Sequence, residues 1–112
     1  MDSRDLKQLV HFSPDRIERE TVHESLRLWS ELLCISGPQT LGPLRDEESD
    51  AMFLVVAGEA AFQVEGKRKR VKQWSTVLVP SGAEVVVANA STDPLVLLVV
   101  AAPPPVPREV TG

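Results

Sequence analysis

Short apolar runs separated by turn residues fill the chain from residue 51 onwards. Each run is five to eight residues long and is bounded by glycine, proline, asparagine or aspartate, which favour turns. None is long enough for a crossover helix, so neighbouring strands should pair antiparallel. The pattern predicts an all-β sandwich or barrel with strands over residues 51–57, 60–65, 68–72, 75–80, 84–89 and 94–101.

The first half of the chain gives a weaker pattern. Residues 25–36 combine alternation with a continuous apolar stretch and predict one or two strands. Residues 37–50 are rich in glycine, proline and acid and are interpreted as a connection. Ser13 as a cap and Pro14 at the first helical position predict a short helix over about residues 14–19.

These boundaries divide the chain into three parts. Residues 1–24 are polar and mixed, and we interpret them as an N-terminal arm lying on the barrel. Residues 25–102 form the barrel. Residues 103–112 form a proline-rich tail that cannot continue a hydrogen-bonded ladder and should be extended.

Composition narrows the class of protein. The chain has 112 residues, the size of one domain, and a net charge of −4, which gives no attraction to nucleic acid or anionic membranes. No apolar run is long enough to span a bilayer, and the N-terminus lacks the layout of a secretory signal. The single cysteine, Cys34, cannot form an internal disulfide, so we expect a cytoplasmic protein.

Several turn motifs occur in a characteristic order. Residues 53–60 form a strand ending in a Gly-Glu turn, and residues 64–67 form a hairpin. Residues 77–82 end in a Pro-x-Gly turn, Asn89 follows, and residues 93–98 begin the last strand. This order resembles the small conserved-barrel cupins. The resemblance implies a double-stranded β-helix, or jelly-roll, barrel with a short N-terminal arm.

The resemblance also implies a divalent metal, held by two histidines and a glutamate from one motif and a histidine from another. The glutamate position falls at Ala51 and the second-motif histidine position at Val85. The paired histidines would fall within residues 44–47, where there is none. Because alanine and valine side chains offer no lone pairs, we expect no metal at the usual place and no cofactor.

Alternation along the strands identifies candidate cavity residues. One strand should point Ala51, Phe53 and Val55 inward, and another Val85, Val87 and Asn89. Asn89 is then the main inward polar group, with Gln63 or Ser75 nearby. Trp74 and Cys34 are added because an indole can line a cavity and strand parity allows the thiol to face it. The candidate ligand-cavity set is Ala51, Phe53, Val55, Val85, Val87, Asn89, Trp74 and Cys34, and no catalytic residue is assigned.

Three functional hypotheses remain open. The first is a metal-free cupin that binds a small apolar or amphipathic molecule, or acts as a dimeric assembly module. The second is a cupin enzyme of the isomerase or dioxygenase type, with a displaced metal site or acid–base work by Glu48, Asp50 or Glu84. The third is a regulatory partner acting through the basic run at residues 67–72. Neither His11 nor His23 has a spacing that supports a metal site.

Two strands, over residues 51–57 and 94–101, are apolar on both faces. A barrel buries only the inner face of its strands, so the outer faces need another cover. We therefore expect a homodimer formed sheet against sheet, with the arms as candidate strands in the partner's sheet.

Overall fold

The computed structural model describes residues 1–105, and the part of the proline-rich tail from residue 106 onwards lies outside the described residues. The described residues form nine β-strands. They are β1 (Glu18–Glu24), β2 (Trp29–Ile35), β3 (Thr40–Arg45), β4 (Asp50–Ala57), β5 (Glu59–Val64), β6 (Lys67–Lys72), β7 (Thr76–Val79), β8 (Glu84–Asn89) and β9 (Leu95–Ala102).

The strands form two antiparallel sheets. The five-stranded sheet has the order β1-β2-β9-β4-β7, and the four-stranded sheet has the order β3-β8-β5-β6. Their inner faces enclose a core of aliphatic side chains, within which Phe53 and Phe62 meet edge to face with ring centroids 5.3 Å apart. The predicted all-β jelly-roll barrel is confirmed.

Turn chemistry explains where the later strands begin and end. Glu65 and Gly66 both have positive φ, which matches the twist of the β5–β6 hairpin. Gly58 has φ +84°, and a Cβ there would lie 2.5 Å from the carbonyl oxygen of Pro94. Only glycine allows the chain to pass this close to β9 as it crosses from one sheet to the other.

Two predictions for the first half of the chain are wrong. Residues 14–16 form a bend rather than a helix, and β1 begins at Glu18 because the chain from Glu18 to Thr21 pairs with β2. The interpretation of residues 37–50 as a connection missed β3. A register shift between Leu41 and Leu44, around Gly42 at φ +99°, lets β3 contain the Gly-Pro pair and still align with β8.

The N-terminal segment covers part of the outer face of the five-stranded sheet. A single 3-10 turn over Leu6–Leu9 places Leu6 and Leu9 against a second buried cluster, which contains Val22, Leu32, Cys34 and Val96. In the described chain β1 pairs with β2 of the same molecule. No helix in residues 1–105 has the length and apolar character needed to cross a membrane.

Candidate functional site

A cavity of about 590 Å³ lies between the sheets at one end of the barrel, where β4 and β8 begin and β7 and β9 end. This volume is in the range of small-molecule sites. Its apolar wall combines residues of both sheets: Leu33, Leu41, Phe53, Val79, Val85 and Val99. The cavity reaches solvent at a rim that includes the exposed residues Glu24 and Leu44.

Strand register brings polar groups into this apolar space. Across the five-stranded sheet Thr21 lies opposite Glu31, Glu31 opposite Val99, and Val99 opposite Phe53. Directly opposite residues share a face of the sheet, and Phe53 and Val99 belong to the inner core. Thr21 and Glu31 therefore face the barrel interior, and both line the cavity.

An ion pair anchors the polar side of the cavity. Arg19 donates from Nε to both carboxylate oxygens of Glu31 at 3.2 Å, and from Nη2 to Oε1 at 2.8 Å. The Glu31 side chain is only 11% exposed, whereas the Arg19 side chain is 49% exposed. A carboxylate this buried requires a partner, and the forked guanidinium fixes the carboxylate's position.

The loop between β3 and β4 forms another part of the rim. The Oδ1 atom of Asp46 accepts hydrogen bonds from the backbone N–H groups of Glu48 and Ser49, at 2.9 and 3.0 Å. The hydroxyl of Ser49 donates to the carbonyl oxygen of Pro103, which ties the loop to the segment after β9. Asp46 and Ser49 are thereby held in place at the cavity.

The structure divides the predicted inward residues of β4 and β8. Ala51, Phe53 and Val85 line the cavity. Val55 and Val87 also point inward but are fully buried in the packed core and do not line it. The end of the barrel near Val55 and Val87 is therefore filled with side chains, and the end near Ala51 and Val85 is open.

Asn89 and Trp74 lie outside the cavity, contrary to the prediction. The Asn89 amide donates to the carbonyl oxygen of Asp93 at 2.8 Å, and its Oδ1 accepts from the N–H of Ser91 at 3.0 Å. Asn89 therefore closes the β8–β9 turn. Trp74 stands in the β6–β7 turn at φ +71° with 70% of its surface exposed, and its backbone N–H donates to the carbonyl oxygen of Val55.

Cys34 faces away from the cavity, because Leu33 and Ile35 take the inward positions on β2. The thiol packs in the cluster beneath the N-terminal segment, and burial raises its pKa. Thiolate, the reactive form, is disfavoured in this setting.

The other polar candidates also lie elsewhere. Gln63 accepts a hydrogen bond from Arg68 across the β5–β6 hairpin, and Ser75 is exposed in a turn. None of Glu48, Asp50 and Glu84 lines the cavity.

Both histidines lie against the N-terminal segment. His23 Nδ1 lies 3.6 Å from Asp2 Oδ2. His11 Nε2 lies 3.1 Å from Glu18 Oε1, and its Nδ1 lies 3.2 Å from the carbonyl oxygen of Leu9. Hydrogen bonding to Leu9 and then to Glu18 raises the pKa of His11.

The sequence prediction missed Arg19, Thr21 and Glu31. Because residues 1–24 were interpreted as an arm, the pairing of β1 with β2 was not predicted. That pairing brings Arg19, Thr21 and Glu31 together. One signal was available: Glu31 lies between Trp29 and Leu33 at the same strand parity, and both neighbours belong to the inner face. An acid between two inward apolar residues predicts a buried carboxylate.

The donor set does not fit the metal that the resemblance implies. Ala51 and Val85 line the cavity with hydrocarbon at two ligand positions, and of residues 44–47 only Leu44 and Asp46 line it. Across residues 1–105, no three side chains of histidine, cysteine, aspartate or glutamate come close enough together to hold a metal ion.

The chain is similar in sequence and in structure to known proteins. The sequence profile of the cupin domain matches residues 33–101. TT1209 from Thermus thermophilus is 30% identical with a TM-score of 0.89, and the match covers 94% of this chain and all of that one. A search of curated proteins found no match.

Two further solved structures share the fold at lower identity. An uncharacterised conserved protein with a double-stranded β-helix domain from Klebsiella pneumoniae is 20% identical with a TM-score of 0.83, and the match covers 91% of each chain. KdgF from Halomonas sp. is 16% identical with a TM-score of 0.79, and the match covers 93% of this chain and 96% of that one.

Proposed function

This chain belongs to the cupin domain family, and we propose that its barrel binds a small amphipathic molecule without a metal ion. The observation that carries the proposal is the open end of the barrel. A cavity of about 590 Å³ has an apolar wall on one side and the Arg19–Glu31 pair on another. Such a site buries an apolar body and orients one polar group.

The metal-independent part of the proposal rests on chemistry at the cavity wall. Ala51 and Val85 occupy inward positions where a divalent ion would need oxygen or nitrogen donors. Three of the charged residues that line the cavity are already engaged, since Glu31 accepts hydrogen bonds from Arg19, and Asp46 accepts backbone hydrogen bonds.

A matched pair of substitutions tests the cavity. Ala51 lines the cavity, whereas Ala61 is partly exposed on β5 and does not line it. We expect Ala51→Phe to abolish binding of an uncharged apolar fluorescent probe such as N-phenyl-1-naphthylamine, and Ala61→Phe to leave it unchanged. Equal probe binding by both variants would show that the probe binds outside the barrel.

Elemental analysis tests the absence of a metal. Protein purified without chelators should carry no stoichiometric transition metal, and treatment with EDTA should leave probe binding unaltered. One tightly held metal ion per chain would overturn this part of the proposal and favour the enzyme alternative.

We also propose that the chain forms a homodimer through the outer face of the five-stranded sheet. Beyond the part covered by Leu6 and Leu9, this face presents Met52 and Leu78, which are 40% and 67% exposed. Met52 on β4 lies directly opposite Leu78 on β7, so the two side chains form one exposed apolar patch. An exposed apolar patch favours contact with a partner surface.

Light scattering at micromolar concentration tests the dimer. Leu78→Glu should convert a dimer to a monomer, since it places a charge in the proposed interface. Leu26→Glu is the control, because Leu26 is 96% exposed in the β1–β2 loop. A wild-type chain that is already monomeric would refute the proposal.

A further inference from the structure

We infer that the cavity selects molecules carrying a positively charged amine over those carrying a carboxylate. This inference rests on the proposed function and adds the chemical class of the ligand. It follows from the sign of the charges that line the cavity, together with an indole placed beside them.

The ionisable lining of the cavity is predominantly acidic. Within residues 1–105 it consists of Arg19, Glu24, Glu31 and Asp46. Three carboxylates thus face one guanidinium, which leaves a formal excess of negative charge. The chain as a whole also has a net charge of −4, which has the same sign as this lining.

Arg19, the one cationic side chain among these four, is already paired with Glu31. The contacts of Arg19 with both oxygens of Glu31, at 2.8 to 3.2 Å, compensate its charge inside the cavity. An incoming carboxylate would have to compete with Glu31 for this guanidinium. Arg45, at the end of β3, contacts Glu65 and the carbonyl oxygen of Gly82 and does not line the cavity.

The two remaining acids lie at the rim and come from different parts of the chain. Glu24 ends β1, and Asp46 stands in the loop after β3. A molecule that enters with its apolar end towards Phe53 and Val99 leaves its polar end at this rim. An ammonium group there gains attraction from Glu24 and Asp46, and a carboxylate is repelled.

Trp29 also favours a cationic ligand over an anionic one. It lies opposite Glu24 in the β1–β2 ladder and opposite Ala101 in the β2–β9 ladder. Its indole lines the cavity and packs against the main core. The negatively polarised face of an indole attracts cations and gives no such attraction to anions.

The test compares three probes of equal chain length: n-hexylamine, n-hexanol and hexanoate, at neutral pH and low salt. Binding is measured by calorimetry and by Trp29 fluorescence in a Trp74→Phe background, which removes the signal of the exposed indole. We expect hexylamine to bind roughly tenfold more tightly than hexanoate, with hexanol between them. Added salt should narrow the difference.

Three variants assign the preference to the cavity. Glu31→Gln and Glu24→Gln should each weaken hexylamine binding about threefold and leave hexanol binding unchanged. Glu59→Gln is the matched control, because Glu59 pairs with Arg70 and does not line the cavity. If Glu31→Gln does not fold, Glu24→Gln on the exposed rim carries the test.

The outcomes distinguish a failure of the charge preference from a failure of the proposed small-molecule binding. Hexanoate binding as tightly as hexylamine would overturn the charge preference, while hexanol binding would still support an amphipathic site. The preference would also be overturned if Glu24→Gln and Glu59→Gln behaved alike. Failure of all three probes to bind the wild-type chain would remove the proposed function itself.

Discussion

Replacing Arg19 by leucine should destabilise the protein because it leaves the Glu31 carboxylate without its cationic partner. The Glu31 side chain is 11% exposed, and its carboxylate makes three contacts of 2.8 to 3.2 Å with Arg19. With leucine at position 19, the Glu31 carboxylate loses its cation and stays beside Leu33 and Val99. An uncompensated charge in an apolar setting costs more than the pair contributed.

The magnitude follows from the exposure of the two side chains. Two unit charges about 4 Å apart attract by about 4 kcal/mol at an effective dielectric of about 20. Arg19 is 49% exposed and the cavity admits water to Glu31, so much of this energy is replaced by hydration. The net loss should be about 1–2 kcal/mol, between the values for exposed and buried pairs.

Urea unfolding followed by circular dichroism measures this loss. With an m-value of about 1–2 kcal/mol/M, the midpoint should fall by roughly 1 M in Arg19→Leu. The double variant Arg19→Leu, Glu31→Leu removes both charges and adds apolar side chains to an apolar wall. It should recover at least half of the lost stability.

A double-mutant cycle measures whether Arg19 and Glu31 are energetically coupled. If the effects of Arg19→Leu and Glu31→Leu add to within about 0.5 kcal/mol, the two side chains are energetically independent. The short contacts between Arg19 and Glu31 would then contribute no coupling, and the cavity would lack the anchored polar wall described above.

Three further predictions concern the rest of the fold. Gly58→Ala should lower the free energy of unfolding by about 2–4 kcal/mol, because φ is +84° and a Cβ would lie 2.5 Å from the Pro94 oxygen. Gly66→Ala, with similar φ and open space around it, should cost about 1 kcal/mol, and equal thermal shifts would contradict the steric argument. The raised pKa of His11 means that folding favours its protonated form, so this contribution is complete below about pH 6.5 and is lost as the pH rises through the folded-state value. Stability should therefore fall as the pH rises above about 6.5, and His11→Gln should flatten that slope in chemical unfolding curves. Burial raises the pKa of Cys34, so Ellman's reagent should react with the native protein far more slowly than with the urea-unfolded chain, and equal rates would contradict the buried placement.

The later strands could be predicted from sequence because valine-rich runs alternate with strong turn residues. Gly58, Gly66 and the Pro80–Gly82 turn mark boundaries that the structure places within one residue or so of the predicted positions. The two strands that were not predicted lack this combination of an apolar run and clear turn residues at its ends. β1 (Glu18–Glu24) is an edge strand with mixed polar residues on both faces, and β3 (Thr40–Arg45) contains a Gly-Pro pair that ordinarily signals a loop.

The candidate site was only partly accessible from sequence for the same reason. Alternation identified Ala51, Phe53 and Val85, because β8 pairs with β5, and the part of β4 from Asp50 to Val55 pairs with β9, without a register shift. The Arg19–Glu31 pair depends on the register between β1 and β2, and a local pattern cannot give a register when one of the two strands is unrecognised. Asn89 was misplaced because its turn hydrogen bonds to Ser91 and Asp93 outweigh strand parity.

The central position of β9 has a consequence for protein synthesis. β9 is the last described strand, and it lies between β2 and β4, with Leu97 opposite both Leu33 and Val55. A ribosome adding about 5–20 residues per second exposes the unpaired edges of β2 and β4 for several seconds before β9 emerges. During that interval the nascent chain offers two apolar strands for intermolecular pairing, so chaperone supply and translation speed should affect the yield of folded protein.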